Sequence, residues 1–196
     1  MSVGGIGRPV PTISGDCKAM TARPSDAEYA PHFSRYVALV PEPDALSVLH
    51  TQIGEITRLA SAVPLERESF RYAPDKWTIR EVFGHLVDCE RVFGYRAFCI
   101  GRGEQAPLPA FDENTYVAES RYNDSRLNDL VEEFTLTRNA NLKCFGHLTD
   151  IEWKRQGTAS SKPISVRALA FIMAGHVRHH INGLQEHYGV MGGKAL

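Results

Sequence analysis

The 196-residue sequence lacks three features that would each point to a particular class of protein. No apolar stretch approaches the roughly 20 residues of a transmembrane helix, so a membrane protein is not expected. There is no excess of basic charge, since 22 Lys and Arg stand against 23 Asp and Glu, which argues against a nucleic-acid partner. The four cysteines form no C-x-x-C pair, so we expect free thiols rather than a disulfide framework.

The N-terminal region also lacks the continuous apolar stretch of a signal peptide, and we therefore expect a cytoplasmic protein. Residues 1–24 are rich in small and polar residues and are predicted to form a flexible leader. Residues 25–43 carry short apolar groups broken by prolines, which predicts an irregular N-terminal strap across the domain. The remaining residues, 44–190, are predicted to form one domain.

Apolar residues recur at spacings of three and four in this domain and predict an all-α four-helix bundle. The predicted helices run from Asp44 until Pro64, from Thr78 to Gly101, from about Ser125 to Gly146, and from Ser165 to Gly189. The second begins with a capping box, in which Thr78 and Glu81 satisfy backbone N–H groups. A short helical turn is expected near Tyr116, and Trp153 is expected to anchor the connector 147–164. No alternating strand pattern is visible.

Three histidines carry the strongest chemical signal. His176 and His180 lie four residues apart in the last predicted helix, which places both rings on one face. His85 lies in the second predicted helix and could supply a third ring if that helix faces the last one. Three nitrogen ligands with one open position are typical of a catalytic metal site, whereas a structural site closes all four. A solvated helix face or a satisfied core histidine remains the alternative.

Asp88 lies three residues after His85, on the same side of the helix. A carboxylate in this position could hold the other ring nitrogen of a metal-bound histidine or contact the bound water, and we favour the contact with water. A simple surface charge is the alternative. A zincin-type protease is excluded, because the H-E-x-x-H motif needs Glu after its first histidine and this chain has Val177 there.

The two histidine segments resemble a known family. Trp77-Thr-Ile-Arg-Glu-Val-Phe-Gly-His85-Leu-Val-Asp88-Cys-Glu90 and Gly175-His176-Val-Arg-His179-His180 are similar to the DinB-like superfamily, specifically to its YfiT-type metal-dependent hydrolases. The resemblance covers roughly residues 44–188. It implies an up-down-down-up four-helix bundle with His85, His176 and His180 as metal ligands. His179 is not counted as a ligand, because it is rotated about 100° from His180.

A loop between the second and third predicted helices also resembles a segment found in this family. It could reach the metal end of the bundle and line a substrate pocket there. The loop contains Phe111, Asn114 and Tyr116, and we expect these three residues to contact substrate. The alternative is that Asp112 or Asn114 only caps a short helix.

These residues predict an enzyme that holds a divalent ion, Zn²⁺ or Ni²⁺ first, with Fe, Mn and Co also compatible. The expected reaction is hydrolysis of a small amide or ester by metal-bound water, with Asp88 as the catalytic residue. The family also includes enzymes that use small thiol cofactors, so a thiol-dependent S-transferase with a low-molecular-weight thiol partner is an alternative. A non-catalytic bundle that binds metal or a small ligand is another. A homodimer is a further expectation, whereas nucleic-acid and membrane partners are not expected.

Overall fold

The computed structural model describes residues 22–191. In this part of the chain the elements are α1 (Ser34–Ala38), α2 (Ala45–Ser61), α3 (Ile79–Gly101), α4 (Glu113–Glu119), α5 (Leu127–Phe145), α6 (Asp150–Lys154), β1 (Gln156–Ala159), β2 (Lys162–Ser165) and α7 (Val166–Glu186). The long helices α2, α3, α5 and α7 form the predicted four-helix bundle. The predicted leader, residues 1–24, lies outside the described residues except for residues 22–24.

The bundle has the up-down-down-up order. Both α2 and α3 pack against α5 and α7, which places α2 and α3 at opposite corners. Helices α3 and α5 run in one direction, and α2 and α7 run in the other. The parallel direction of α3 and α5 follows from the contacts Arg91–Glu133 and Gly94–Asn141. The antiparallel direction of α3 and α7 follows from His85–His176 and Gly101–Val166. Helices α2 and α7 run in the same direction, as shown by Gln52–Ala174 within them and by Arg67–Tyr188 just beyond their C-terminal ends.

The ends of the two histidine-bearing helices follow from local side chains. Thr78 Oγ1 accepts a hydrogen bond from the Glu81 N–H, and the Thr78 N–H donates to the Glu81 carboxylate, which confirms the predicted capping box of α3. Ser165 Oγ caps α7 by accepting from the Ala168 N–H. After α7, Gly189 takes a left-handed conformation with a φ of +66°, as expected for the residue that ends this helix.

The connector between α5 and α7 was predicted without strands, and this prediction is wrong. Strands β1 and β2 form an antiparallel hairpin. Leu108, in the loop between α3 and α4, pairs with Ala159 at the edge of this hairpin. The hairpin turns at Ser160 and Ser161, both of which have positive φ values, 51° and 61°. Its strands are too short, and too interrupted by glycine and proline, to show the two-residue period of a longer strand. The predicted anchor Trp153 is fully buried against Phe145.

The segment predicted as a strap contains short 3₁₀ turns and α1, and it packs along α7. The closest approach is at Gly175, where an added Cβ would lie 1.9 Å from the carbonyl oxygen of Tyr36. Only glycine allows the two backbones to come this near. The Glu28 carboxylate also accepts hydrogen bonds from Arg167 and Ser165. The strap therefore brings the Tyr36 ring beside α7.

A buried polar cluster joins the four long helices. The guanidinium of Arg138 on α5 forms a fully buried ion pair with Glu90 on α3, with N–O distances of 2.7 and 2.8 Å. Arg138 also donates to Gln52 on α2, whose amide donates to the Ala174 carbonyl on α7. Because buried polar groups need partners, this cluster fixes the register of the helices around the histidines.

None of the helices within residues 22–191 combines the length and the apolar character that a membrane crossing needs. Cys89, Cys99 and Cys144 are free thiols. Cys17 lies outside the described residues.

Candidate metal centre

The three histidines converge between α3 and α7. His176 and His180 lie one turn apart on α7, and the antiparallel packing of α3 brings His85 opposite them. The Nε2 atom of His176 lies 3.1 Å from Nε2 of His85 and 3.1 Å from Nε2 of His180. One ring nitrogen from each residue lies within 4.8 Å of the others. The rings of His85 and His176 are buried, and His180 is partly exposed.

The spacing of these nitrogens fits a shared divalent ion. Two nitrogens bound at about 2.05 Å, with an angle of about 90–109° at the ion, lie about 2.9–3.4 Å apart. The two observed distances of 3.1 Å lie in this range. His85, His176 and His180 would supply three of the four ligands that a tetrahedral ion takes.

The protonation state of the rings also fits a metal site. Burial lowers the pKa of His85 to about 4, and the nearby His179 adds to this effect. Burial lowers the pKa values of His176 and His180 well below their ordinary range, and repulsion between neighbouring rings contributes. Imidazole must be neutral to bind a metal ion. At neutral pH each of the three rings therefore has one unprotonated nitrogen that can bind a metal ion.

Aromatic side chains hold the rings in place. Trp77 packs on His85 with a centroid distance of 4.7 Å and stacks on His180 at 6.5 Å. Tyr36 and Phe93 meet the ring of His176 edge-on, at 5.4 and 5.8 Å. These contacts restrict ring rotation and shield the cluster from solvent.

Cys89 is an additional side chain at the cluster, with Sγ 3.6 Å from the Nε2 atom of His85. Burial raises the pKa of this thiol well above its usual range, so it is protonated at neutral pH. The sequence places Cys89 one turn after His85 on the same helix stripe, but a lone cysteine on an inner stripe gave no reason to assign it a role.

Two cavities meet at the histidines. The smaller has a volume of about 330 Å³ and reaches all three rings, Cys89 and Arg96. The larger has a volume of about 600 Å³ and extends along the end of α7 towards Tyr188. Both are lined by Arg35, Trp77, His179 and His180. The smaller cavity therefore reaches all three rings, and the larger cavity reaches the group at His180.

Asp88 faces a different neighbour. Its carboxylate accepts a hydrogen bond of 2.6 Å from the hydroxyl of Tyr122, in the turn before α5. Burial raises the pKa of Asp88, and the Tyr122 bond partly opposes this rise. Within the described chain, Asp88 is not among the residues that line either cavity.

The three loop residues predicted to contact substrate lie in different places. Phe111 lines the smaller cavity, and Asn114 lines the larger one. Tyr116 is about half exposed and contacts Phe111, with 5.4 Å between ring centroids. Asp112 caps α4 by accepting a hydrogen bond from the Thr115 N–H, which is the capping role that the sequence left as an alternative.

Arg96 and Ser160 are among the residues of the smaller cavity that sequence reasoning missed. Arg96 lies on the same stripe of α3 as His85 and Cys89, and a charged residue on an inner stripe was an available signal. Ser160 belongs to the hairpin turn that was not predicted. His179 is exposed, lines both cavities, and stays outside the three-histidine group, as the helix rotation indicated.

Two of the solved structures to which this fold is similar are informative. YfiT from Bacillus subtilis, described as a probable metal-dependent hydrolase with an unusual four-helix bundle topology, superposes with a TM-score of 0.67 at 16% identity, over 95% of this chain and 97% of that one. The mycothiol-dependent maleylpyruvate isomerase superposes with a TM-score of 0.58 at 13% identity, over 70% of this chain and 58% of that one. At these identities both likenesses show the fold alone.

No match was found among curated protein sequences. The sequence profile of the DinB superfamily, however, matches residues 49–183. This range includes the four long helices almost completely, together with the three converging histidines. The chain belongs to the DinB superfamily.

Proposed function

We propose that the protein is a metal-dependent hydrolase that acts on a small amide or ester. The observation that carries the proposal is the set of three neutral ring nitrogens, from His85, His176 and His180, at the meeting point of two cavities. The probable hydrolase activity ascribed to YfiT, which has the same fold, supports this reading.

In this proposal His85, His176 and His180 hold one divalent ion, Zn²⁺ or Ni²⁺ first. Such an ion supplies a Lewis acid that polarises a carbonyl and lowers the pKa of water towards about 7. Trp77, Tyr36 and Phe93 keep the rings in the binding geometry and exclude bulk water from the buried side. Phe111 supplies an apolar wall for the substrate.

The predicted role of Asp88 in orienting or deprotonating water stays a prediction, and Tyr122 offers a way to test it. Asp88→Asn removes the negative charge, while Tyr122→Phe removes only the hydrogen bond to it. If Asp88 acts on water, Asp88→Asn abolishes turnover without weakening metal binding, and Tyr122→Phe changes the pH profile. If both variants retain full turnover, the carboxylate has no catalytic role.

Metal analysis of protein purified without a histidine tag tests the metal site. We expect one equivalent of divalent metal in the wild type and none in His176→Ala. The matched control is His50→Ala, an exposed histidine on α2. Metal at about 100 times its Kd should raise the Tm by about 5–10 °C, because binding only to the folded state adds about 2.7 kcal/mol. Retention of metal by His176→Ala would contradict the site.

Turnover is tested with the metal-loaded wild type on a panel of amide and ester substrates. Activity that disappears with EDTA and returns with metal supports the hydrolase. A protein that binds metal tightly but turns over no substrate in the panel is the non-catalytic binding protein that the sequence left open.

The thiol-dependent S-transferase remains a second candidate because of the two cavities. One cavity could hold a small thiol and the other its electrophilic partner, with the shared residues His179 and His180 between them. The mycothiol dependence of the isomerase with a similar fold supports this candidate. A reaction that requires added thiol and metal together would favour it over hydrolysis. The homodimer stays a prediction, which light scattering after size-exclusion chromatography tests.

A further inference from the structure

Arg96 is a buried cation without a counter-ion. Its side chain lines the smaller cavity, and only 3% of the residue is exposed. Its Nη2 atom donates to the carbonyl oxygen of Pro109 at 2.8 Å and to Oγ of Ser160 at 2.9 Å. Its Nε and Nη1 atoms, which carry three further N–H groups, have no acceptor among the described residues. None of the ion pairs between described residues includes Arg96.

No fully buried side-chain nitrogen among the described residues lacks a partner, so the unpaired N–H groups of Arg96 are open to the cavity that it lines. A guanidinium largely removed from bulk water in this way is costly unless an anion compensates it. Burial lowers the pKa of Arg96 from its ordinary value, which reflects that cost. Arginine nevertheless stays charged at neutral pH. The other buried arginine, Arg138, has Glu90 as its partner. The absence of a protein carboxylate beside Arg96 leaves a place for an anion from outside the chain.

The surroundings of Arg96 are arranged for recognition. Since the Oγ atom of Ser160 accepts a hydrogen bond from Arg96, its own O–H remains free to donate into the cavity. Ser160 is held with a positive φ of 51° at the hairpin turn, a conformation that costs energy in a residue other than glycine. Glu113 is the one carboxylate that lines this cavity in the described chain, and it pairs with neither Arg96 nor Arg35.

The position of Arg96 relative to the histidines defines the ligand. Along the backbone of α3, Arg96 follows His85 by three turns, about 16 Å of helix rise. Because the Cβ atoms of a helix tilt toward its N-terminus, the Arg96 side chain leans back toward the rings, so the guanidinium is separated from them by less than this rise, and one cavity joins the two. Phe93 and Phe111 form apolar walls along this path. A ligand that touches both ends therefore needs an anionic group, a short apolar middle and a group that reaches the rings.

We propose that the smaller cavity recognises a carboxylate-bearing small molecule, whose carboxylate binds Arg96 and the Ser160 hydroxyl while its other end lies at the three histidines. The proposal deepens the proposed function, since it names the substrate class of the same site, a small amide or ester that also carries a carboxylate. The anion-binding part rests on Arg96 and Ser160 alone and does not require the metal.

The first test uses metal-free, full-length protein and compares binding of adipate with that of neutral adipamide by calorimetry. Adipate should bind more tightly, and Arg96→Gln should weaken it by about 10- to 100-fold, the usual effect of losing a hydrogen bond to a charged group. Arg91→Gln is the matched control, because Arg91 lies on the outer face of the same helix and pairs with Glu133. It should leave binding unchanged.

Two further variants guard against a simple folding defect in Arg96→Gln. Ser160→Ala keeps the cation and should weaken adipate binding by a smaller factor, about 3- to 10-fold. Arg96→Lys keeps a charge and should recover part of the lost affinity. Equal affinity of the wild type for adipate and adipamide, or unchanged adipate binding in Arg96→Gln, would overturn the proposal. Tighter binding of inorganic phosphate than of adipate would also overturn it, in favour of a phosphate site.

A second test uses the metal-loaded protein and the monohydroxamates of succinic, adipic and suberic acid, whose hydroxamate end binds metal ions. Each is compared with its neutral amide counterpart. Hydroxamate binding without a preference for the carboxylate supports the metal centre and overturns the carboxylate site. Adipate binding through Arg96 together with no hydroxamate binding supports the carboxylate site and overturns the metal-dependent function.

Discussion

The contact between Gly175 and the strap makes a sharp prediction about stability. In Gly175→Ala the new Cβ would lie 1.9 Å from the carbonyl oxygen of Tyr36, and 2.5 Å from its carbonyl carbon. Both obstacles are backbone atoms, which cannot rotate away as a flexible side chain can. The two backbones must therefore separate by more than about 1 Å to reach ordinary contact distance.

The magnitude follows from two opposing terms. Overpacking of a tight contact costs about 1–3 kcal/mol, and a backbone obstacle places this case at the upper end. Alanine in place of a helical glycine returns about 0.5–1 kcal/mol. We expect a net loss of about 2 kcal/mol, which lowers the Tm of a chain of this size by about 4–8 °C. Since Tyr36 also contacts His176, metal affinity should fall in the same variant.

The assay is urea and thermal unfolding of metal-free protein, followed by metal titration. Gly183→Ala is the matched control, because Gly183 lies on the same helix and its added Cβ would meet no atom within 4 Å. This variant should gain about 0.5–1 kcal/mol from helix propensity alone. If Gly175→Ala is stabilised to the same extent as Gly183→Ala, the strap does not lie on α7 as described.

Three further predictions concern other parts of the fold. Arg138→Leu leaves the Glu90 carboxylate buried without its cationic partner, although the Asn141 amide still donates to it. This variant should lower the free energy of unfolding by about 3–5 kcal/mol in urea titrations, and a loss below about 1 kcal/mol would show that the pair is not buried. Burial raises the pKa of Glu28, but hydrogen bonds from Arg167 and neighbouring serines outweigh it and lower the pKa to about 2. The stabilisation from Glu28 is thus complete above its unfolded-state pKa of 4.5 and is lost as the pH falls towards 2. Glu28→Gln should therefore lower the free energy of unfolding by about 2 kcal/mol at pH 7 and by less in acid. A loss of stability that is independent of pH would refute this reasoning. Ser161→Gly should raise the free energy of unfolding by about 1 kcal/mol, and the Tm by about 2–4 °C, because it relieves the positive φ of 61°. Ser161→Ala should not stabilise the protein, and equal effects of the two substitutions would argue against the left-handed turn.

The placement of Asp88 shows why sequence spacing alone did not define the whole site. Three residues along a helix correspond to a rotation of about 300°, so Asp88 lies about 60° away from the direction of His85. Whether that rotation leads into the cavity or towards a neighbouring helix depends on where the neighbours lie. Tyr122 approaches α3 at Gly84, where an added Cβ would lie 2.2 Å from its ring, and its hydroxyl reaches Asp88.

The residues around the cavities show a similar limit. Tyr36 contacts His176 only because Gly175 lets the strap approach α7, and the two segments are far apart in the sequence. Arg96 meets Ser160 only because the short hairpin folds back over α3. No periodic pattern in the sequence predicts either contact, because each contact joins two segments whose relative position is set by packing.

The sequence by itself determined the long helices, their caps at Thr78 and Ser165, and the shared face of His176 and His180. These features depend on interactions within a few residues, which the order of amino acids specifies directly. Only the tertiary structure decided which side chains complete the site, because the distance from His85 to His176, the burial of Arg96 and the partner of Asp88 all depend on how separate helices pack against one another.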